Sequence, residues 1–124
     1  MSGINKLPSQ KAYLIRAIYE WCSDNDFTPH LAANVDKNTM VPMQYVQNSQ
    51  IVLNIAFSAT KDLLIDNQWV TFKASFGGSA HDVAVPVANV LAIFAKENGQ
   101  GMQFEQEETA PEPTKKSSGL KLVK

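Results

Sequence analysis

His30 and His81 are the two imidazoles of this 124-residue chain, and Cys22 is its single thiol. A zinc site needs three or four close His, Cys or carboxylate ligands. Neither histidine has a cysteine near it, and no H-x-x-x-H pair occurs. No metal and no cofactor is therefore expected. His30 follows Pro29 and reads as a strand-start residue whose ring bonds to backbone, while His81 follows Gly-Gly-Ser-Ala and reads as exposed. Ser79, His81 and Asp82 supply the residue types of a catalytic triad, but adjacency in sequence does not create triad geometry. Cys22 lies on an amphipathic segment and reads as a packed small hydrophobe, not a nucleophile. Phe76-Gly77-Gly78-Ser79 has the glycines of a phosphate loop but lacks its Lys-Ser/Thr pair and a following helix. A tight turn, or close approach by another backbone, fits these glycines better. Asp24, Asp26, Asp62, Asp66 and Asp82 sit at turn positions, where a short carboxylate bonds local N–H groups. No acid is paired with a base, so the chain is expected not to be an enzyme.

Eleven Lys+Arg against twelve Asp+Glu leave a net charge of −1. A dedicated nucleic-acid binder carries a basic field, so DNA is not an expected partner. The longest apolar run, Val90 to Ala95, is six residues. A membrane span needs about 20. MSGINKLPSQK lacks the apolar run of a signal peptide, and a lone Cys fits a reducing compartment. A cytoplasmic protein without membrane contact is expected. With 44% hydrophobic residues, the chain reads as one globular domain plus a tail.

The elements that must position these residues are a helix and a β-rich body. Residues 9–24 read as a helix capped by Ser9. Leu14, Ala17, Ile18 and Trp21 form its expected buried face, and Ile15, Tyr19 and Cys22 a second apolar stripe beside it. That stripe has two readings, a deep groove in the body or a second subunit. His30 to Val35 reads as a strand and Asp36 to Thr39 as a turn. Strands are also expected at 51–55, at 63–65, at 69–76 with Val70, Phe72, Ala74 and Phe76 on one face, and at 82–87. Pro86 marks an edge or a strand end. Residues 87–96 stay open between helical turn and strand, and Asn98-Gly99 is a stop.

From Glu105 the composition changes. QEETAPEPTKKSSG has no large apolar residue, and such a segment is expected to be disordered. The chain then ends on GLKLVK, where Leu120 and Leu122 alternate as in a peptide that pairs with a partner. A frayed terminus that binds nothing is the other reading. The expected organisation is a body over 1–104, a linker over 105–118 and a terminal motif over 119–124.

The body resembles the stringent starvation protein B (SspB) family, adaptors that deliver tagged polypeptides to the ClpXP protease. The resemblance is carried by YLIRAIYEW (13–21), FTPHL (27–31), VPMQYV (41–46), QIVLNIA (50–56), FKASFGG (72–78) and VAVPVANVLAIFAKENGQGMQFE (83–105). It implies a mostly β, α+β fold with an N-terminal helix: a small Sm/SH3-like β-barrel or sandwich body with a disordered C-terminal tail. It implies a homodimer, with Lys11, Ile15, Tyr19 and Cys22 at the contact. It also implies a groove for the ssrA tag, the peptide added to stalled nascent chains. The matching residues are Tyr45, Val46, Gln47, Ala56, Phe57 and Ser58 on one side, and Lys73, Ala74, Ser75, Phe76, Gly77 and Gly78 on the other. On charge grounds, separate from the resemblance, Lys73 could pair with an acidic residue of the tag. Gly119, Leu120, Lys121, Leu122, Val123 and Lys124 are similar to the motif that docks on the N-terminal domain of ClpX. About 14 flexible residues would tether it over roughly 20 Å. The ribosome is a further candidate partner.

A different class remains open at this stage. A small β-barrel RNA-binding or ribosome-associated protein would stack bases on aromatics beside Lys. Phe72, Lys73 and Phe76 would be its platform, although the near-neutral charge weighs against it.

Overall fold

The computed structural model describes residues 10–105. The proposed linker from residue 106 onward and the terminal motif lie outside them, as does Ser9. Helix α1 spans Gln10–Asp24. Seven strands follow: β1 (Pro29–Asn34), β2 (Gln50–Asn54), β3 (Lys61–Ile65), β4 (Trp69–Phe76), β5 (Ser79–Pro86), β6 (Val90–Ala95) and β7 (Gly101–Gln103). They form two antiparallel sheets, one ordered β2-β1-β6-β7 and the other β3-β4-β5. The fold is therefore α+β and mostly β. Leu31, Leu53, Ile93, Phe72 and Val85 share one core with Ala12 and Ile15 of the helix.

The alternation in β4 sorts as the sequence implies. Val70 and Phe72 are buried, Ala74 and Phe76 half-buried, and Trp69, Lys73 and Ser75 exposed. Val83 and Val85 fill the same inner face from β5. Strand β5 begins at Ser79, three residues before the expected 82, because Gly77-Gly78 is a two-residue hairpin turn. Its φ values of 60° and 87° are those that the twist of flanking strands selects. Asp82 consequently sits inside a strand, not at a turn. Residues 87–96 divide into a 3-10 turn, Val87–Asn89, and then β6.

The two apolar stripes of α1 are exchanged relative to expectation. Lys11, Ala12, Ile15 and Cys22 are buried against the chain's own body, whereas Leu14, Ile18 and Trp21 are half-exposed and Ala17 is exposed. The small side chains of Ala12 and Cys22 let the helix approach closely, and close approach favours that stripe over one carrying the bulk of Trp21. Trp21 packs edge-on against Phe27, at 5.3 Å between centroids. Lys11 is buried because its Nζ donates to the Ala88 carbonyl at 3.2 Å and lies 5.5 Å from the Phe104 ring. Lys11, Ile15 and Cys22 thus have no surface to offer a second copy, and burial pushes the Cys22 thiol pKa up, with the Glu97 carboxylate adding to the rise. Tyr19 keeps partial exposure.

Two polar clips fix the ends of the body. Glu97 accepts from the Thr28 backbone N–H at 2.8 Å and from its hydroxyl at 2.6 Å, and these bonds hold the carboxyl below its ordinary range. Arg16 reaches from α1 to the β3–β4 turn. It donates to the Ile65 carbonyl at 2.8 Å and to Asn67 Oδ1 at 3.2 Å. Within that turn Asp66 accepts from the N–H groups of Gln68 and Trp69.

Candidate functional site

Strand β4 outruns its neighbour on one side. All eight of its residues pair with β5, but the last β3 pair is Lys61↔Lys73. The β3-side edge of Ala74, Ser75 and Phe76 therefore has no strand partner among the described residues. Edge N–H and C=O groups without a partner strand are a template for an added one. The chain enters β3 from a 3-10 turn at Phe57–Ala59, which walls this open edge. The turn is locked: Asn54 Oδ1 accepts from Ala56 N–H at 2.9 Å, and the Ala56 carbonyl accepts from Ala59 N–H at 2.9 Å and the Thr60 hydroxyl at 3.1 Å. A cavity of about 360 Å³ lies between turn and edge, lined by Ser58, Thr60, Lys61, Lys73, Ala74 and Ser75 among others.

At the hairpin tip a second cluster continues the same strand. Tyr45 lies 5.6 Å from Phe76 between ring centroids, and Phe76 lies 5.6 Å from His81. A Cβ on Gly77 would stand 3.0 Å from the Tyr45 hydroxyl, so that hydroxyl rests over the turn. Tyr45 is 43% exposed and Phe57 is 85% exposed. An aromatic so bare, beside an unpaired strand edge, is a surface left for something apolar to cover.

Of the groove residues expected from sequence, Ser58, Lys73, Ala74 and Ser75 line one cavity, and Tyr45, Phe76 and Gly77 form the adjoining cluster. Ala56 and Phe57 lead into the wall. Gly78 completes the hairpin tip. Val46 packs against the core, and Gln47 pairs with Gln50 across a neighbouring turn. Neither Val46 nor Gln47 lines this cavity. Thr60 and Lys61 were missed, because the expected strand began at Leu63. Lys61 sits just before a register break at Asp62, whose φ of 57° no hydrophobic pattern announces.

The other constellations weighed from the sequence do not assemble. His81 and Asp82 point to opposite faces of β5, so Ser79, His81 and Asp82 form no triad. His81 is half-buried against Phe76, not exposed. His30 does not bond backbone through Nδ1, which is buried without a partner among the described residues, and its ring lies 5.9 Å from Phe94. Phe72 is buried on the inner face while Lys73 is on the outer, so the three residues of the RNA platform do not share a surface. Among the described residues no group of three or more His, Cys, Asp or Glu could hold a metal ion.

A separate surface opens on α1. Ala17, Ile18 and Trp21 line a hollow of about 720 Å³ with Gly99, Gln100 and Gly101.

Comparison with known proteins matches residues 9–122 to a family model described as Stringent starvation protein B. A stringent starvation protein B homolog from Haemophilus influenzae is 42% identical over 104 residues, spanning 83% of this chain and 69% of that relative.

Proposed function

Because this chain belongs to the stringent starvation protein B family, we propose that it is a specificity adaptor for the ssrA degradation tag. It binds the tag as an extended peptide and tethers the tagged polypeptide to the ClpXP protease through its C-terminal peptide. The observation that carries this reading is the open β4 edge at Ala74–Phe76, walled by the Phe57–Ala59 turn and flanked by Tyr45. Main-chain bonds along such an edge supply affinity for any extended peptide, and pockets for alternate side chains supply specificity. Phe57, Tyr45 and Phe76 offer apolar contact; Lys73 offers a charge.

The tail supplies the second half of the mechanism. Gly119 to Lys124 docks on the N-terminal domain of ClpX, and the intervening segment links that contact to the groove. Tethering makes substrate capture nearly intramolecular, at effective concentrations on the order of mM. The adaptor itself makes and breaks no bond; ATP hydrolysis and proteolysis belong to its partner in the cytoplasm.

Fluorescence anisotropy with a labelled tag peptide tests the groove. Saturable binding at one peptide per chain is expected, absent with a scrambled peptide. Tyr45→Ala, at an exposed position, is expected to weaken it by about tenfold. No binding at high protein concentration would overturn the reading, and salt-sensitive binding of RNA would replace it with the nucleic-acid alternative.

The dimer of this reading uses the outer stripe of α1: Leu14, Ala17, Ile18 and Trp21, not the buried stripe. A continuous apolar face on an N-terminal helix, next to the hollow at Gly99–Gly101, suits a second copy of the same helix related by a twofold. Ile18→Asp is expected to convert the dimer to a folded monomer in analytical ultracentrifugation. A dimer that survives this change at micromolar concentration would place the contact elsewhere.

A further inference from the structure

We infer that the chain's own segment Leu120 to Lys124 seats on its body, in the hollow between α1 and the free side of β3. The contact stands apart from the adaptor reading; only its consequence for docking rests on that reading. Strand β3 has a strand neighbour on its β4 side alone among the described residues. Its other side faces α1, and the two enclose a hollow of about 440 Å³ lined by Arg16, Tyr19, Glu20, Leu63, Leu64 and Ile65 among others. Leu64 is 56% exposed, and Tyr19, Leu63 and Ile65 are half-buried. Four such side chains around one hollow are an apolar surface that the described residues leave uncovered.

The charges at its rim are unevenly engaged. Arg16 donates to the Ile65 carbonyl and to Asn67, and its guanidinium lies 4.5 Å from the Tyr13 ring. The Glu20 side chain is exposed and has no partner among the described residues. The hollow thus suits apolar side chains with one cation beside them. Residues 106–124 contain three large apolar side chains, Leu120, Leu122 and Val123, in the same short stretch as Lys121 and Lys124. In an extended chain alternate residues share a face. Leu120, Leu122 and Lys124 then form a row of two apolar groups and an ammonium, which complements Leu63, Leu64 and Ile65 beside the Glu20 carboxylate.

Reach and location agree with this occupant. The Phe104 ring lies 5.5 Å from Lys11 Nζ, so the chain leaves the body beside the first turn of α1. Tyr19 lies about 12 Å farther along the helix axis, at 1.5 Å of rise per residue. Fourteen residues, 106–119, separate that exit from Leu120, and a coil of this length spans roughly 20 Å. The hollow shares no lining residue with the one at Gly99–Gly101. Tyr19 and Ser23 are about 160–200° around α1 from Ala17 and Trp21, so a second copy on the outer stripe leaves this seat open. Linkage through so short a chain supplies a local concentration on the order of mM. A contact of mM intrinsic affinity is then about half occupied. Seated segments are withheld from any other partner, so the body itself competes for the docking motif.

The test uses the full chain with Ser118→Cys carrying a nitroxide; Cys22 is buried and stays unlabelled. Paramagnetic broadening of amide signals is expected to be strongest at Tyr19–Ser23 and Leu63–Ile65. Leu64→Asp, at an exposed position, and Leu122→Ser, outside the body, are each expected to abolish it. Broadening strongest at Ala74–Phe76, or spread evenly, would overturn the seat. Broadening in isotope-labelled chains mixed with spin-labelled chains of natural abundance would assign the contact to a neighbouring copy and equally overturn it. Docking is read separately, by titration with the N-terminal domain of ClpX. Leu64→Asp is expected to bind about twofold more tightly than the unmodified chain, because the withheld half is released. Equal affinities would overturn the competition. If neither chain binds that domain, the docking reading fails, and the spectra still decide the seat.

Discussion

Removing Leu120 to Lys124 is expected to abolish delivery of tagged substrate while leaving tag affinity within about twofold, because the proposed function assigns tag binding and docking to separate parts of the chain. The groove is built from residues between Tyr45 and Ala80, and the last five residues lie outside the described ones. On the proposed mechanism, a chain without its last five residues leaves substrate and protease to meet at their bulk concentrations. Linked binding sites gain on the order of 10²–10⁴ in apparent affinity, and this gain is what truncation removes. The measurement is degradation of a tagged fluorescent protein by ClpXP at low substrate, with full-length and truncated adaptor, alongside anisotropy with the tag peptide. Undiminished delivery by the truncated chain would show that the tail is not the tether. Parallel loss of tag binding would show that the two parts are not separate.

Gly101→Ala is expected to be the most damaging single-methyl change in the body. A Cβ at this position would meet the Ile93 carbonyl oxygen at 2.0 Å and Phe94 Cα at 2.6 Å. Both are backbone atoms of β6, the strand that β7 pairs with, so no side chain can rotate out of the way. Forcing them apart means breaking the β6–β7 pairing or shifting a central strand. Overpacking of this kind costs about 2–3 kcal/mol, or roughly 10–20 °C in Tm for a body of this size. Gly78→Ala is the informative control. Its φ is 87° but nothing lies within 4 Å of the added atom, so only local strain of about 1–2 kcal/mol applies. Thermal denaturation of both variants decides the matter. Equal losses would mean that close approach at Gly101 is relieved by movement of β7.

The strands were legible where one face is buried and the other wet. Strand β4 is the clearest case, with Val70 and Phe72 inward and Lys73 and Ser75 outward over its whole length. The helix was equally legible as a helix, but its rotation was not. Two apolar stripes side by side satisfy the same period, and only the body decides which one it covers. Lys11 shows why: a charged residue lies in the buried stripe because one carbonyl and one ring accept it. Strand β7, Gly101–Gln103, was invisible because three residues carry no period. In the groove, pattern and resemblance led to Ser58 and Lys73 through Phe76. They did not lead to Lys61, whose position depends on a register break and not on its own type.

The sheet order has a kinetic meaning. Strands β3, β4 and β5 are neighbours in the chain as well as in space, whereas the other sheet pairs β1 with β6 across some sixty residues of intervening sequence. Loop closure makes distant pairings slow and nearby hairpins fast. The groove therefore belongs to the half of the protein whose contacts are local, and the hairpin around Gly77-Gly78 has the shortest loop to close. Its open edge would stand exposed before β1 and β6 complete the second sheet. During that interval any extended chain nearby, another nascent copy included, competes for the strand edge proposed to hold a peptide. The short length of that edge, three residues ending at a glycine turn, limits such premature pairing while still leaving a seat for a peptide.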